Sequence, residues 1–314
     1  MKLWTFLQNV FAPGLHIAFA GAWFVALIGS LVWLRGGALT WRFDLPLLAG
    51  VASLLVTLFY LRVVDEVKDY DYDLVHNRDR LLVLGEVSHG DLLRWALGSA
   101  ALVLLLNAYL AWALTPWLLL IAAADLLYGA FLLKLEQWSR AVNERMLLNL
   151  AVTYPVNMAL QGYVYVFFVF AYAATPGTRD ALLVLAFVLV FLHYEFARKT
   201  AWPELTEPGE RMYSNVLGGG GSLAVVLGCA WSAVGLVLYL LRPWERLSSA
   251  PAAAALGFAV LGVALLSGLA AKKLLANRSE RKKLGGLGMI GLTVFYAALG
   301  LHALAANQLA WGAG

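Results

Sequence analysis

Long apolar runs separated by short polar segments dominate this sequence. Nine runs approach the roughly 20 residues that a helix needs to cross a bilayer. They lie near residues 17–34, 45–64, 92–114, 117–135, 146–172, 180–197, 220–241, 252–272 and 286–306. Strands are not expected, because the runs are too long and too uniformly apolar for a membrane barrel. The pattern predicts an all-α integral membrane protein, a single polytopic domain over residues 1–314.

Composition supports this prediction. The chain is 62% hydrophobic and 13% charged, whereas a soluble domain has an apolar content of roughly 45–50%. The first apolar run lacks a small-residue cleavage site, so we expect the N-terminal segment to be retained and not removed as a signal peptide. The one cysteine, Cys229, falls inside the seventh run, which excludes a disulfide framework and a cysteine metal site.

The basic residues predict the orientation, because loops rich in Lys and Arg stay in the cytoplasm. If the N-terminus is cytoplasmic, 18 of the 23 basic residues fall on the inner side. The outer side carries Arg35, Arg42, Arg179, Arg242 and Arg246. We therefore expect a multi-pass protein of the cytoplasmic membrane with a cytoplasmic N-terminus. The basic stretch 271–283 would then lie on an anionic leaflet, so the net charge of +4 indicates no nucleic-acid partner.

Two inner connections are long and rich in ionisable residues, at 65–91 and 198–219. They follow the second and the sixth apolar runs, a spacing of four helices that is compatible with a weak internal duplication. Any chemistry is expected in these two loops.

The second run ends in a dense acidic cluster. Five carboxylates lie within nine residues: Asp65, Glu66, Asp69, Asp71 and Asp73. If the helix continues at about 100° per residue, Glu66, Asp69 and Asp73 fall within an arc of about 60°, Asp65 lies just outside it, and Asp71 points elsewhere. Converging carboxylates at a membrane interface favour a Mg²⁺ site. The alternative is a solvated acidic end of the helix.

Cationic side chains accompany both loops. Lys68 lies within the acidic cluster, and Arg78 and Arg80 follow it, where they could donate to a phosphate. The alternative is ordinary positive-inside charge. Glu195, Arg198 and Lys199 end the sixth run and could close the other side of a site, although alone they would be a charged loop.

At these residues the sequence resembles the UbiA superfamily of intramembrane prenyltransferases. The first acidic motif of that family is written NDxxDxxxD, and here DEVKDYDYD places Asp65 at the Asn and Glu66, Asp69 and Asp73 at the acidic positions. A following R-P-L-P-x-G stretch is matched by residues 80–85 with both prolines replaced. The second family motif follows the sixth helix, where Glu195 matches an acidic position and Lys199 stands where a carboxylate is common.

The resemblance implies nine helices around a central cavity and Mg²⁺-dependent transfer of a prenyl group from a polyprenyl diphosphate to an aromatic or lipid-like acceptor. It assigns metal binding to Asp65, Glu66, Asp69, Asp73 and Glu195. It assigns catalysis to Asp69, Asp73 and Lys199. It assigns substrate binding to Lys68, Arg78, Arg80, Tyr154, Asn157 and Arg198.

Two features of the apolar runs leave alternatives open. Pro155 breaks the fifth helix, either to free backbone carbonyls near Tyr154 and Asn157 or as a packing kink. Asp125, midway along the fourth run, either faces a cavity or makes a structural hydrogen bond to another helix. Other function classes also stay open, namely a cation permease and a non-catalytic lipid-binding relative of the prenyltransferases.

Overall fold

The apolar runs form helices in the computed structural model, which describes residues 2–36, 39–276, 283–307 and 309–311. Over these ranges, nine helical spans are long and apolar enough to cross a membrane. Their bounds are Pro13–Trp33, Leu45–Lys68, His89–Ala113, Pro116–Trp138, Met146–Ala171, Thr178–Arg198, Ser214–Arg246, Pro251–Ala276 and Leu284–Ala306. The predicted all-α membrane fold is confirmed. Residues 277–282 of the basic stretch 271–283 lie outside the described ranges.

The described residues form fourteen α-helices, eleven of which make up the spans. The helices are α1 Lys2–Phe6, α2 Pro13–Trp33, α3 Leu45–Lys68, α4 Tyr70–His76, α5 His89–Ala113, α6 Pro116–Trp138, α7 Arg140–Glu144, α8 Met146–Thr153, α9 Pro155–Ala171, α10 Thr178–Arg198, α11 Ser214–Leu241, α12 Pro251–Phe258, α13 Leu261–Ala276 and α14 Lys283–Ala306. A π-helical turn covers Leu7–Phe11, and 3₁₀ turns cover Pro203–Leu205 and Pro243–Arg246. Two three-residue strands, β1 Trp41–Phe43 and β2 Leu309–Trp311, pair with each other.

Helix starts follow from local sequence. The Asp44 carboxylate accepts a hydrogen bond from Leu47 N at 3.0 Å and caps α3. Ser88 and Asp91 form a capping box at the start of α5, in which side chain and backbone satisfy each other. Pro116 and Pro155 stand at the first positions of α6 and α9, where the missing N–H is not needed.

Three spans are interrupted. The fifth span breaks between Thr153 and Pro155, as the sequence predicts, because proline cannot continue the helical hydrogen bonds. Near the start of α11, Gly218 has a φ of 70°, which bends the helix. The eighth span breaks after Phe258, and the apolar pattern gives no sign of that break.

The chain packs as two compact units. The first contains residues 2–21 and 43–173, with the second to fifth spans, and the second contains residues 22–36, 39–42 and 174–276 together with the described residues after 282. Each unit therefore holds four whole consecutive spans, the first of which ends in one of the two charged loops.

In the first unit, α3 packs on α5 and α6, and α9 packs on α6. Aromatic side chains cluster near the N-terminus, where Phe6 meets Trp95 at 5.2 Å between ring centroids. Trp112 at the end of α5 is 84% exposed and Trp138 at the end of α6 is 75% exposed. Indole rings at helix ends are typical of the interface between bilayer and water.

In the second unit, α10 packs on α11 and α14. Gly288 permits the close approach of α14, because a Cβ at that position would lie 2.7 Å from the Ala197 Cβ. Asp180 is fully buried at the start of α10, and Arg35 donates to its carboxylate at 2.6 Å. This pairing supplies the partner that a buried charge needs.

Candidate functional site

The acidic cluster lies on an almost continuous helix. α3 ends at Lys68 and α4 begins at Tyr70, with Asp69 between them at φ −87° and ψ 3°. Asp69 N donates to Asp65 O at 2.9 Å, and Asp73 N donates to Asp69 O at 2.8 Å. These i to i−4 bonds keep the helical phase across the break, so the carboxylates stay near the predicted arc.

Glu66 is the most deeply buried carboxylate of the cluster. Its side chain is 3% exposed, and its Oε1 accepts hydrogen bonds from Arg62 and, at 3.2 Å, from Arg80 Nη1. Arg62 lies one helical turn before it, whereas Arg80 comes from the loop after α4. Both guanidinium groups therefore bind one oxygen of this carboxylate.

Asp73 lies beside the same guanidinium. Its Oδ1 accepts from Asn77 Nδ2 at 2.6 Å, and its Oδ2 lies 3.9 Å from Arg80 Nε. Burial raises the pKa of Asp73, and the Asp69 charge raises it further, while Asn77 and Arg80 act in the opposite direction. Arg80 thus brings together Glu66 and Asp73, with Asp69 close by.

The other acidic residues behave differently. Asp71 is exposed, as the predicted arc requires. The Asp65 side chain is 46% exposed and pairs with Lys68 Nζ at 3.0 Å. Lys68 Nζ also lies 3.6 Å from Glu136 Oε1 on α6. Lys68 is therefore an ion-pair partner of two carboxylates, and its predicted role in substrate binding stays a prediction.

The loop from Asn77 to Val87 is held in place by apolar contacts. Leu81, Leu82 and Val87 are buried against Phe6 and Phe11. Gly85 has a φ of 74°, a left-handed conformation that favours glycine. The anchored leucines directly follow Arg80 and fix its position over the carboxylates.

The donor set suits Mg²⁺, although the metal site remains a prediction. The hydrogen bonds from arginine and asparagine use Glu66 Oε1 and Asp73 Oδ1, so each carboxylate has a second oxygen outside those bonds. Within the described ranges, no group of three or more His, Cys, Asp or Glu side chains is arranged to hold a metal ion. Mg²⁺ is nevertheless commonly bound by one or two protein carboxylates together with substrate phosphates.

The second charged loop centres on Glu195, at the end of α10. Its Oε2 accepts from Arg198 Nε at 2.6 Å. Its Oε1 accepts from the Tyr213 hydroxyl at 3.0 Å and lies 3.1 Å from Lys199 Nζ. Both oxygens of Glu195 accept hydrogen bonds from protein donors, whereas Glu66 and Asp73 each accept them at one oxygen. The predicted metal role of Glu195 stays a prediction.

Tyr213 stabilises this second cluster. Its ring stacks on Phe196 at 4.3 Å between centroids, and Lys199 Nζ lies 5.5 Å from the same centroid. Burial and the Glu195 charge raise the pKa of the Tyr213 hydroxyl, which therefore stays a neutral donor. Tyr213 N also donates to Lys199 O at 3.0 Å, which ties the far end of the loop to the end of α10.

The remaining predicted substrate residues lie apart from these hydrogen bonds. Arg78 is exposed in the loop after α4. Tyr154 occupies the break between α8 and α9. Asn157 is buried, and its Oδ1 makes no hydrogen bond. Their assignments to substrate stay predictions.

Asp125 lines a small cavity inside the first unit, together with Ser53, Thr57 and Tyr163. The side chain is 4% exposed, and neither carboxylate oxygen has a hydrogen-bond partner. Of the two alternatives for Asp125, the structural hydrogen bond to another helix is not formed, and the role in a central substrate cavity stays a prediction.

Sequence reasoning missed several partners. Arg62 and Asn77 stand one helical turn from Glu66 and Asp73, and i to i+4 spacing could have identified both. Glu136 and Tyr213 come from other elements, so no local spacing identifies them as partners of Lys68 and Glu195. Comparisons with protein-family models, with characterised proteins and with solved structures found no match to this chain.

Proposed function

We propose that this protein is a Mg²⁺-dependent prenyltransferase of the cytoplasmic membrane. It transfers a prenyl group from a polyprenyl diphosphate to an aromatic or lipid-like acceptor. The proposal rests on the resemblance of residues 65–73 to an acidic family motif and on the contacts within that segment.

The observation that carries the proposal is the shared guanidinium of Arg80, which lies against both Glu66 and Asp73 at the end of a membrane span. A solvated acidic helix end does not need a buried glutamate with two arginine partners. A site for a diphosphate needs carboxylates that hold a divalent ion and fixed cations that bind phosphate oxygens.

Glu66 and Asp73 would hold the metal through the oxygens that accept no hydrogen bond from arginine or asparagine, Glu66 Oε2 and Asp73 Oδ2. Asp73 Oδ2 also lies 3.9 Å from Arg80 Nε, so metal and guanidinium would share it, and Asp69 lies near enough to assist. Mg²⁺ bound there supplies positive charge that stabilises the diphosphate as a leaving group. The protein contributes further charge through Arg62 and Arg80, whose side chains are 27% and 37% exposed and retain donors for phosphate oxygens.

In the reaction, the bond between the allylic carbon and the diphosphate oxygen breaks, and its electron pair leaves with the diphosphate. A nucleophilic atom of the acceptor forms the new bond to that carbon and afterwards loses a proton to solvent. The apolar spans receive the prenyl chain and exclude water from the electron-poor carbon.

The decisive experiment measures release of diphosphate from prenyl diphosphates of several chain lengths by the full-length protein in nanodiscs. We expect release with Mg²⁺, none with excess EDTA, and recovery when Mg²⁺ is restored. Mass spectrometry of the lipid that co-purifies with the protein identifies the acceptor class. Absence of both release and donor binding, at every chain length and Mg²⁺ concentration, would refute the proposal.

A further inference from the structure

The cavity around Asp125 is too small for a prenyl chain or an aromatic acceptor. Its volume is about 10 Å³, which is about the space that one water molecule needs. Asp125 lies in the interior of α6, which spans Pro116–Trp138. The cavity therefore has space for no more than a single small ion or molecule.

An unpartnered carboxylate is costly in this position. Both Asp125 oxygens are buried and without a hydrogen bond, and a bare charge away from water is strongly unfavourable. A proton would remove the charge, but the other carboxyl oxygen would still have no hydrogen-bond donor. A bound cation removes the charge and engages both oxygens.

The neighbouring hydroxyls suit a cation. Thr57 Oγ1 donates to Ser53 O at 2.8 Å, and the Tyr163 hydroxyl donates to Asn107 Oδ1 at 2.9 Å. Ser53 Oγ accepts from Asn107 Nδ2 at 2.6 Å. Because the hydrogens of Thr57 and Tyr163 are already used, these side chains offer lone pairs to the cavity. Hard cations are bound by such oxygens.

The charge balance selects a monovalent ion. One carboxylate neutralises one positive charge, whereas a divalent ion would leave a net charge in the low-dielectric interior. Mg²⁺ also gives up its water reluctantly, and the cavity has no space for a hydrated ion. We propose that Asp125, Ser53, Thr57 and Tyr163 form a Na⁺ site in the first unit, distinct from the acidic cluster at the end of α3.

The test needs no prenyl donor, so its outcome is independent of the proposed enzymatic activity. The full-length protein in nanodiscs is melted in NaCl and in choline chloride of equal ionic strength, and binding of ²²Na⁺ is measured directly. Saturating Na⁺ is expected to raise the wild-type Tm by about 3–5 °C, with one ion bound per chain.

Variants assign the site. Asp125→Asn should bind no ²²Na⁺ and should lose the Na⁺-dependent rise in Tm. Thr57→Val should raise the Kd for Na⁺ about tenfold, the effect of removing one oxygen ligand. Thr153→Val is the matched control, because Thr153 also donates to the carbonyl four residues earlier, at 2.9 Å, but does not line the cavity. It should keep the wild-type Kd.

Three outcomes would overturn the proposal. The first is a wild-type Tm that is equal in NaCl and choline chloride, with no bound ²²Na⁺, since the carboxyl group is then protonated. The second is an unchanged Na⁺ response in Asp125→Asn. The third is equal weakening of Na⁺ binding by Thr57→Val and Thr153→Val.

Discussion

Arg80 Nη1 lies 3.2 Å from Glu66 Oε1, so a loop residue donates to a carboxylate that is buried at the end of a membrane-spanning helix. The thirteen residues between them include the last two residues of α3, the short helix α4 and a turn, and this segment folds back on itself. This contact places a cation against the acidic residues at the end of α3. The predictions below test that site and the cluster around Glu195.

Replacing Arg80 should damage both stability and activity. Arg80→Gln removes the cation that Glu66 and Asp73 share, and a hydrogen bond to a charged group contributes about 1.5–3 kcal/mol. We expect the free energy of unfolding to fall by an amount near the lower end of that range, because Arg62 still donates to Glu66. The rate of diphosphate release should fall at least about tenfold. Arg140→Gln is the control, since the Arg140 side chain is 88% exposed and pairs with Glu144 at the surface.

Asp69→Ala and Asp73→Ala should each abolish Mg²⁺-dependent release of diphosphate in protein that remains folded and inserted. Asp71→Ala should have a mild effect, because Asp71 is exposed and lies off the shared arc. Initial rates across a Mg²⁺ titration, with circular dichroism to check folding, separate the three variants. Equal damage from all three would contradict the helical arrangement.

Gly85→Ala should destabilise the loop that carries Arg80. The left-handed conformation at a φ of 74° costs a residue with a Cβ about 1–2 kcal/mol. Gly98→Ala in α5 is the control, because that glycine is helical and its added Cβ would meet no atom within 4 Å. Thermal unfolding in nanodiscs should show a lower Tm for Gly85→Ala and no decrease in Tm for Gly98→Ala.

Tyr213→Phe should weaken the second cluster while preserving the ring stack on Phe196. The substitution removes the hydroxyl that donates to Glu195, and we expect the free energy of unfolding to fall by about 1.5–3 kcal/mol. Tyr239→Phe, at a side chain that is 60% exposed, should change it by less than about 0.5 kcal/mol. An equal effect of the two would show that the bond to Glu195 contributes nothing.

Lys199 tests whether fixed cations replace a second metal. Lys199→Ala should weaken donor binding or turnover, and Lys199→Asp should be worse at low Mg²⁺ and partly recover as Mg²⁺ rises, because the new carboxylate recruits an ion. The measurement is donor Kd and turnover over a Mg²⁺ series. If the wild type neither binds nor turns over a donor and Lys199→Asp creates activity, the natural protein is a non-catalytic relative.

Topology can be tested without any ligand. Reporters fused after Arg80 and after Arg211 should lie in the cytoplasm, and one fused after Arg179 should lie in the periplasm. With the N-terminus in the cytoplasm, the sequence pattern assigns 18 of the 23 basic residues to the inner side. An external position for the Arg80 fusion would remove the acidic cluster from the cytoplasmic face and contradict the proposed orientation.

The sequence by itself determined the number of membrane spans, the break at Pro155 and the arc of Glu66, Asp69 and Asp73. These features depend on apolar run length, on the missing proline N–H and on helical periodicity, which are local properties. The exposed position of Asp71 follows from the same periodicity.

Tertiary structure alone decided which groups of different elements pair. Arg80 reaches Glu66 because Leu81 and Leu82 pack against aromatic residues near the N-terminus, and Tyr213 reaches Glu195 across a loop. The sequence shows Asp125 as an acidic residue within an apolar run, but the absence of a hydrogen-bond donor to its carboxylate depends on which side chains surround it. Such contacts join residues that are distant along the chain, and the balance between desolvation and pairing is set by packing that no local pattern encodes.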